Sequence, residues 1–300
     1  MLPARGQGAV WVEHGTTIAV ALLFLLYGAR LAPQAIWAGL AHWRLQFLVF
    51  LSTFALFPLI GVGIAAATRG WLPEPIVTGL LFLCLLPSTV QSSIAFTSIA
   101  RGNVPAALCS ASLSNLIGVV LTPLLVAQLL TSASGGLSLE ALRDIALQIL
   151  LPFVVGQAIR PWVQGWLHAH PLLTKTVDRG SVLVVVYAAF SAGVVAGLWT
   201  QLSPLALLAV LALSLVILAI VMGATTLASR AIGFGVADEI ATVFCGSKKS
   251  MASGIPMAAI LFPGHSVGLI VLPRMIFHQV QLFVCAWLAR RYADDPRHDQ

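Results

Sequence analysis

Lys248 and Lys249 stand side by side in Phe244-Cys245-Gly246-Ser247-Lys248-Lys249-Ser250-Met251-Ala252-Ser253-Gly254-Ile255-Pro256, a stretch that is apolar on both sides. A lysine at the bilayer centre costs roughly 2.5–3.5 kcal/mol on the milder scales and more on the harsher ones. Two of them in a break of small residues call for a polar cavity inside a helical bundle, which in a transporter is the substrate or ion site. Burial disfavours the charged form of a lysine, so one of the pair can turn neutral and exchange a proton in each cycle. The other can stay charged and meet an anionic substrate, helped by the partial positive charge of half-helix N-termini. Two structural readings stand beside these: the side chains snorkel to an interface, or they donate to carbonyls of a facing break.

Other polar groups share the apolar segments. Arg274 and His278 are four residues apart on one helical face, with Gln281 on much the same face. Such a stripe points into the bundle, where it serves a substrate path or interhelical packing. Ser110, Ser112, Ser114 and Asn115 line the span after an earlier break; Ser114 and Asn115 are assigned to the cavity, with Gln157 a weaker candidate. Small polar residues also let membrane helices approach closely. No Asp or Glu occupies the apolar centre of a span, which leaves no acidic proton relay, and Asp238 and Glu239 read as caps at the start of the eighth span. The four cysteines show no metal-ligand spacing and read as buried small hydrophobes. Ser247 and Lys248 as nucleophile and base would describe a membrane enzyme. Adjacent helical residues do not face each other, however, and no supporting acid, glycine-framed nucleophile or zinc motif accompanies them.

The elements that must position these residues follow from composition. The chain is 59% hydrophobic and 9% charged, against about 25% charged in soluble domains. It is a polytopic all-α membrane protein, and its formal charge of +6 reports orientation rather than nucleic-acid binding. Runs of about 20 apolar residues mark spans. Nine are expected, at 16–32, 43–67, 76–99, 104–130, 143–165, 178–198, 204–227, 236–260 and 267–290. With the N-terminus outside, ten Lys/Arg residues fall inside and three outside, Arg5, Arg69 and Arg143, so the C-terminus is expected inside. Asp294, Asp295, Arg297, His298 and Asp299 read as a solvated tail, and the short tail and few lysines suggest a bacterial inner membrane. Gly135 and Gly136 mark the boundary between halves. One span in each half is interrupted, at Leu86-Pro87-Ser88-Thr89 and at Gly246 to Pro256, and each is followed by a span with its own proline, Pro123 or Pro273. Paired broken helices in corresponding positions point to a transport site built from inverted repeats.

The segments Gln91-Ser92-Ser93-Ile94-Ala95-Phe96-Thr97, Ala100-Arg101-Gly102-Asn103, Ser112-Leu113-Ser114-Asn115-Leu116, Gly246-Ser247-Lys248-Lys249 and Gly254-Ile255-Pro256-Met257 resemble the bile acid:sodium symporter superfamily, most closely its SBF-like branch. The likeness runs from about residue 15 to 290. It implies two inverted five-helix repeats, a panel domain that moves against a core, and two broken helices crossing near the ion and substrate sites. On this chain the repeats fall at 1–135 and 136–300, the core on spans 76–165 and 236–290 and the panel on the rest, with the family's first helix expected to be missing. Sodium-coordinating Glu, Gln and Asn of the second crossing are matched by Phe244, Lys248 and Lys249, a glutamine of an earlier core helix by Thr53, and a Ser-Asn pair by Ser92 and Ser93. The usual two-sodium site is therefore not expected. Na⁺, held weakly by Ser92 and Ser93, and H⁺ remain open as coupling ions. The resemblance thus implies a secondary active transporter of an organic anion by alternating access, set in lipid and without a cofactor. Its expected site comprises Lys248, Lys249, Ser247, Ser92, Ser93, Gln91, Ser114, Asn115, Thr53, Arg274 and His278. A non-transporting membrane regulator is the alternative.

Overall fold

The computed structural model describes residues 3–30, 42–130, 146–195, 197, 203–262 and 267–299, and all regular structure among them is helical. In chain order the helices are α1 (Gln7–Arg30), α2 (Trp43–Thr68), α3 (Glu74–Leu85), α4 (Val90–Ile99), α5 (Val104–Leu130), α6 (Leu151–Ala169), α7 (Pro171–Val195), α8 (Pro204–Ile232), α9 (Val236–Gly246), α10 (Met251–Leu261) and α11 (Val267–Ala293). A 3₁₀ turn, Pro296–Asp299, closes the chain. Where the residues are described, each expected span overlaps one helix or one helix pair, with ends that differ. Among the described residues five helices, α1, α2, α5, α8 and α11, are long and apolar enough to cross a membrane, and α3 with α4 forms a sixth candidate bent by 62°. The expected boundary at Gly135 and Gly136, the start of span 143–165, and Arg143 lie outside the described residues.

Helix ends differ from expectation where polar groups satisfy themselves. The first helix begins at Gln7 rather than residue 16, because the Thr16 and Thr17 hydroxyls donate back to the Val12 and Glu13 carbonyls, so polar residues do not end it. Prolines account for the irregularities inside helices. A proline has no N–H to give the carbonyl four residues earlier, and the backbone widens into a π turn just before Pro58 (Ser52–Leu56) and again just before Pro152 (Ala146–Leu150). α3 stops because Leu86, which precedes Pro87, is held in the extended region at φ −75°, ψ 154°.

The chain divides into two compact units. One comprises Met1–Leu31, Pro123–Ser203 and Ala252–Leu272; the other comprises Ala32–Thr122, Pro204–Met251 and Pro273–Gln300. In the first, α1 packs on α6 and α7. Gly28 and Gly156 make this approach possible: a Cβ on Gly28 would meet the Phe153 carbonyl, and one on Gly156 the Leu25 carbonyl. In the second, α9 packs on α2, α4 and α8, and α3 on α2. Residues 79–85 of α3 and 239–246 of α9 are all buried; α3 is apolar on every side there, whereas α9 buries the Glu239 carboxylate with its partners. α8 instead leaves Leu208 and Leu227 at 61% and 69% exposure, a surface whose natural solvent is lipid.

Candidate functional site

Both breaks lie in the second unit and against each other. A break strands carbonyls, and in hydrocarbon no water satisfies them. At the end of α3, five successive carbonyls find partners outside the helix. Lys249 Nζ donates to Cys84 at 2.9 Å and to Leu86 at 2.6 Å, and the Thr122 hydroxyl donates to Leu85 at 2.8 Å. The Ser250 N–H donates to Pro87 at 2.8 Å and Asn115 Nδ2 to Ser88 at 2.7 Å. The end of α9 is treated alike. Hydroxyls of Ser93, Ser88 and Ser52 donate to the carbonyls of Phe244, Cys245 and Gly246 at 3.0, 2.6 and 2.8 Å. The Lys249 carbonyl accepts from the Thr89 hydroxyl, Arg274 Nη2 and Gln281 Nε2, while Gln281 Oε1 accepts from the Lys249 N–H at 3.1 Å.

The two lysines meet opposite fates. Lys249 Nζ reaches a third carbonyl, that of Thr53, at 2.8 Å, and lies 4.1 Å from the centre of the Phe57 ring. Lys248 Nζ is fully buried and has no hydrogen-bond partner among the described residues. It rests over Phe96 at 4.2 Å and Phe244 at 5.5 Å from the ring centroids, which gives a cation–π contact on two sides but, among the described residues, no counter-charge. Ser92 Oγ, Thr53 Oγ1, Thr97 Oγ1, Gln46 Nε2 and Arg274 Nη1 are also buried without hydrogen-bond partners among the described residues.

Several expected site residues thus hold the breaks in register. Ser93 bonds the Phe244 carbonyl, Ser114 Oγ accepts from the Ser88 N–H at 3.0 Å, and Asn115 donates to Ser88 and Ala111. Thr53 takes part through its carbonyl, whereas its neighbour Ser52 offers the hydroxyl. Ser247 Oγ donates back to the Val243 carbonyl and is spent within its own helix. Arg274 is fully buried and donates to the Ser250 and Lys249 carbonyls. His278 Nδ1 pairs with Gln281 Nε2 at 2.9 Å, one residue removed from the break. Gln91 is exposed, and Gln157 lies in the first unit on α6. Among the described residues no group of three or more His, Cys, Asp or Glu could hold a metal ion.

Ser52, Ser88, Thr89, Thr122 and Gln281 join the site without having been chosen from sequence. A hydroxyl next to a proline or a lysine break was the available signal for Ser88 and Thr122, and Gln281 already sat on the polar stripe.

Two expectations are corrected at the other end of α9. Asp238 and Glu239 lie in its first turn, but no side chain caps that helix. Asp238 Oδ1 accepts from Asn103 Nδ2 at 2.7 Å. Buried Glu239 binds Arg230 through two bonds of 3.0 and 3.1 Å, Arg297 at 3.2 Å and the Tyr292 hydroxyl at 2.9 Å. Burial of the carboxylate in this position requires charged partners, which local capping could not supply. Part of the tail is accordingly not free in solvent: Asp294 is exposed, but Arg297 folds back onto Glu239 and Asp295, and the Asp295 carboxylate first, then Glu239, hold its guanidinium above the ordinary arginine range.

Residues 1–294 match the sequence profile of the SBF-like CPA transporter family. An uncharacterised protein of Pseudomonas aeruginosa is 54% identical over 97% of this chain and 88% of its own length. The candidate symporter YfeH of Escherichia coli is 51% identical over 97% of this chain and 87% of its own. Sodium/bile acid cotransporter 7 of Rattus norvegicus is 27% identical over 89% and 79%.

Proposed function

The chain belongs to the SBF-like CPA transporter family, and from that membership we propose that it is a secondary active transporter of a small organic anion, working by alternating access without the usual two-sodium site. The observation that carries this reading is the contrast between the satisfied breaks and the Lys248 ammonium. Around the breaks, stranded carbonyls are paired one by one, yet the Lys248 ammonium has no hydrogen-bond partner among the described residues and lies over the Phe96 and Phe244 rings. A buried cation without a counter-charge is costly, and an anionic solute that supplies the counter-charge recovers that cost on binding. The name of the rat relative, a sodium/bile acid cotransporter, supports a bile-acid-like sterol among the solutes, alongside sulfated compounds and small carboxylates. The ion coupling differs from that name: Phe244 and two lysines stand at the positions matched to sodium ligands. A proton held by Lys248 in one half of the cycle and released in the other is the coupling this chemistry favours. The distribution of arginines favours a C-terminus inside and an N-terminus outside, in a bacterial inner membrane.

The test is uptake of radiolabelled taurocholate into proteoliposomes, with a steroid sulfate and a small carboxylate as competitors, under either a Na⁺ or a proton gradient. Uptake driven by the proton gradient in the wild type, and lost in a folded Lys248→Ala variant, is expected. Unchanged uptake in that variant sinks the site. A strict requirement for Na⁺, or a rise in melting temperature in Na⁺ but not in K⁺ at equal ionic strength, sinks the coupling.

A further inference from the structure

The position filled by the Lys249 ammonium is defined by backbone that would exist without the lysine. Each of its three carbonyls is orphaned by a nearby proline or helix end. In the π turn of α2 the Phe57 N–H donates to the Ser52 carbonyl, five residues back. In that register the Thr53 carbonyl would need an N–H at residue 58, which is a proline and has none. Cys84 and Leu86 lie at the end of α3, where Pro87 removes the next donor. The three oxygens converge at 2.6–2.9 Å on one point, with the face of Phe57 closing a further side at 4.1 Å. Three acceptors around one nitrogen demand three N–H donors, which an ammonium has and a neutral amine lacks. The arrangement of acceptors therefore suits an ammonium better than a neutral amine.

We propose that the carbonyls of Thr53, Cys84 and Leu86, with the Phe57 ring, form a monovalent-cation site whose resident is the tethered ammonium of Lys249, and that truncating this side chain opens the site to a free monovalent cation. Hard oxygen ligands suit inorganic cations, and a ring face suits ammonium and alkylammonium. A tethered charge cannot leave with the solute, so this position is closed to ion exchange while Lys249 occupies it. The inference rests on local backbone geometry and not on the transport reading, so a failed uptake experiment leaves it standing.

The experiment compares melting temperatures of the wild type, Lys249→Ala and Lys249→Met in detergent. The salts are the chlorides of sodium, potassium, ammonium, methylammonium and, as a cation too large for the site, choline, all at equal ionic strength. The wild type is expected to melt alike in all five. Lys249→Ala should melt earlier in choline and regain most of the loss, saturably, in at least one small cation. Lys249→Met, whose stem still fills the approach to the site, should regain none. Absence of a saturable, cation-specific gain in Lys249→Ala overturns the proposal, and so does an equal gain in the wild type or in Lys249→Met. Should Lys249→Ala fold only when purified in one of the small cations, that is the predicted gain read as yield. Failure to fold in every salt overturns the proposal, since the refilled site should restore the crossing.

Discussion

At the scale of single residues, the two adjacent lysines should respond to mutation in opposite ways. Lys248→Met removes a buried cation that has no hydrogen-bond partner, so its stability should be unchanged or higher while uptake is lost. Lys249→Ala strands three buried carbonyls and should lose several kcal/mol, at roughly 1–3 kcal/mol for each unsatisfied group. Thermal melting of the two purified variants, side by side, decides this; equal destabilisation would remove the distinction. The sequence made the presence of the lysines, and the need for a polar surround, legible. It could not divide their tasks, because Thr53 and Cys84 lie 196 and 165 residues from Lys249 along the chain. The helpers were equally hidden. Ser52 donates across to Gly246, whereas Ser110, Ser214 and Thr225 donate to their own helices, and nothing in a lone hydroxyl's sequence context separates the two habits.

At the scale of elements, joints between helices carry the sharpest expectations. Asn103 caps α5 through its Oδ1, which accepts from the Ala106 N–H at 3.0 Å, and fastens α9 through the Asp238 carboxylate and the Ala237 carbonyl. Asn103→Ala should cost about 1–2 kcal/mol, the loss of a cap and one charged hydrogen bond, and a melting curve unmoved by the change would contradict the cap. Gly28→Val and Gly156→Val should each destabilise α1 against α6 by at least about 1–3 kcal/mol, because the new side chain meets backbone rather than a yielding side chain. Limited proteolysis of the two variants, compared with Gly63→Val, where a Cβ meets nothing, isolates the effect. Helix existence was readable from apolar runs, and the breaks from Pro87 and the polar stretch 247–250. The π turns were not readable: Pro58 and Pro152 announce a disturbance, but a kink, a break and a widened turn share that signal.

At the scale of the whole molecule, composition alone set the class, since 9% charge and long apolar runs leave few alternatives. Clustering of Glu239 with Arg230, Arg297 and Tyr292 was beyond its reach, because it joins the ends of three helices and the tail. A C-terminal fluorescent protein fusion should glow in cells, and a C-terminal alkaline phosphatase fusion should be inactive; the reverse pattern would invert the proposed topology. One further consequence concerns time. Residues 247–250 belong to no helix, yet the Ser247 N–H is held by Val243, the Lys249 N–H by Gln281 and the Ser250 N–H by Pro87. Amide deuteration there should be slow, like that of the helices on either side and unlike that of an ordinary loop. The Ser250 hydrogen, held by the Pro87 carbonyl of the facing break, waits for the two broken helices to part, so its labelling rate is a clock for that parting, readable before any solute is known.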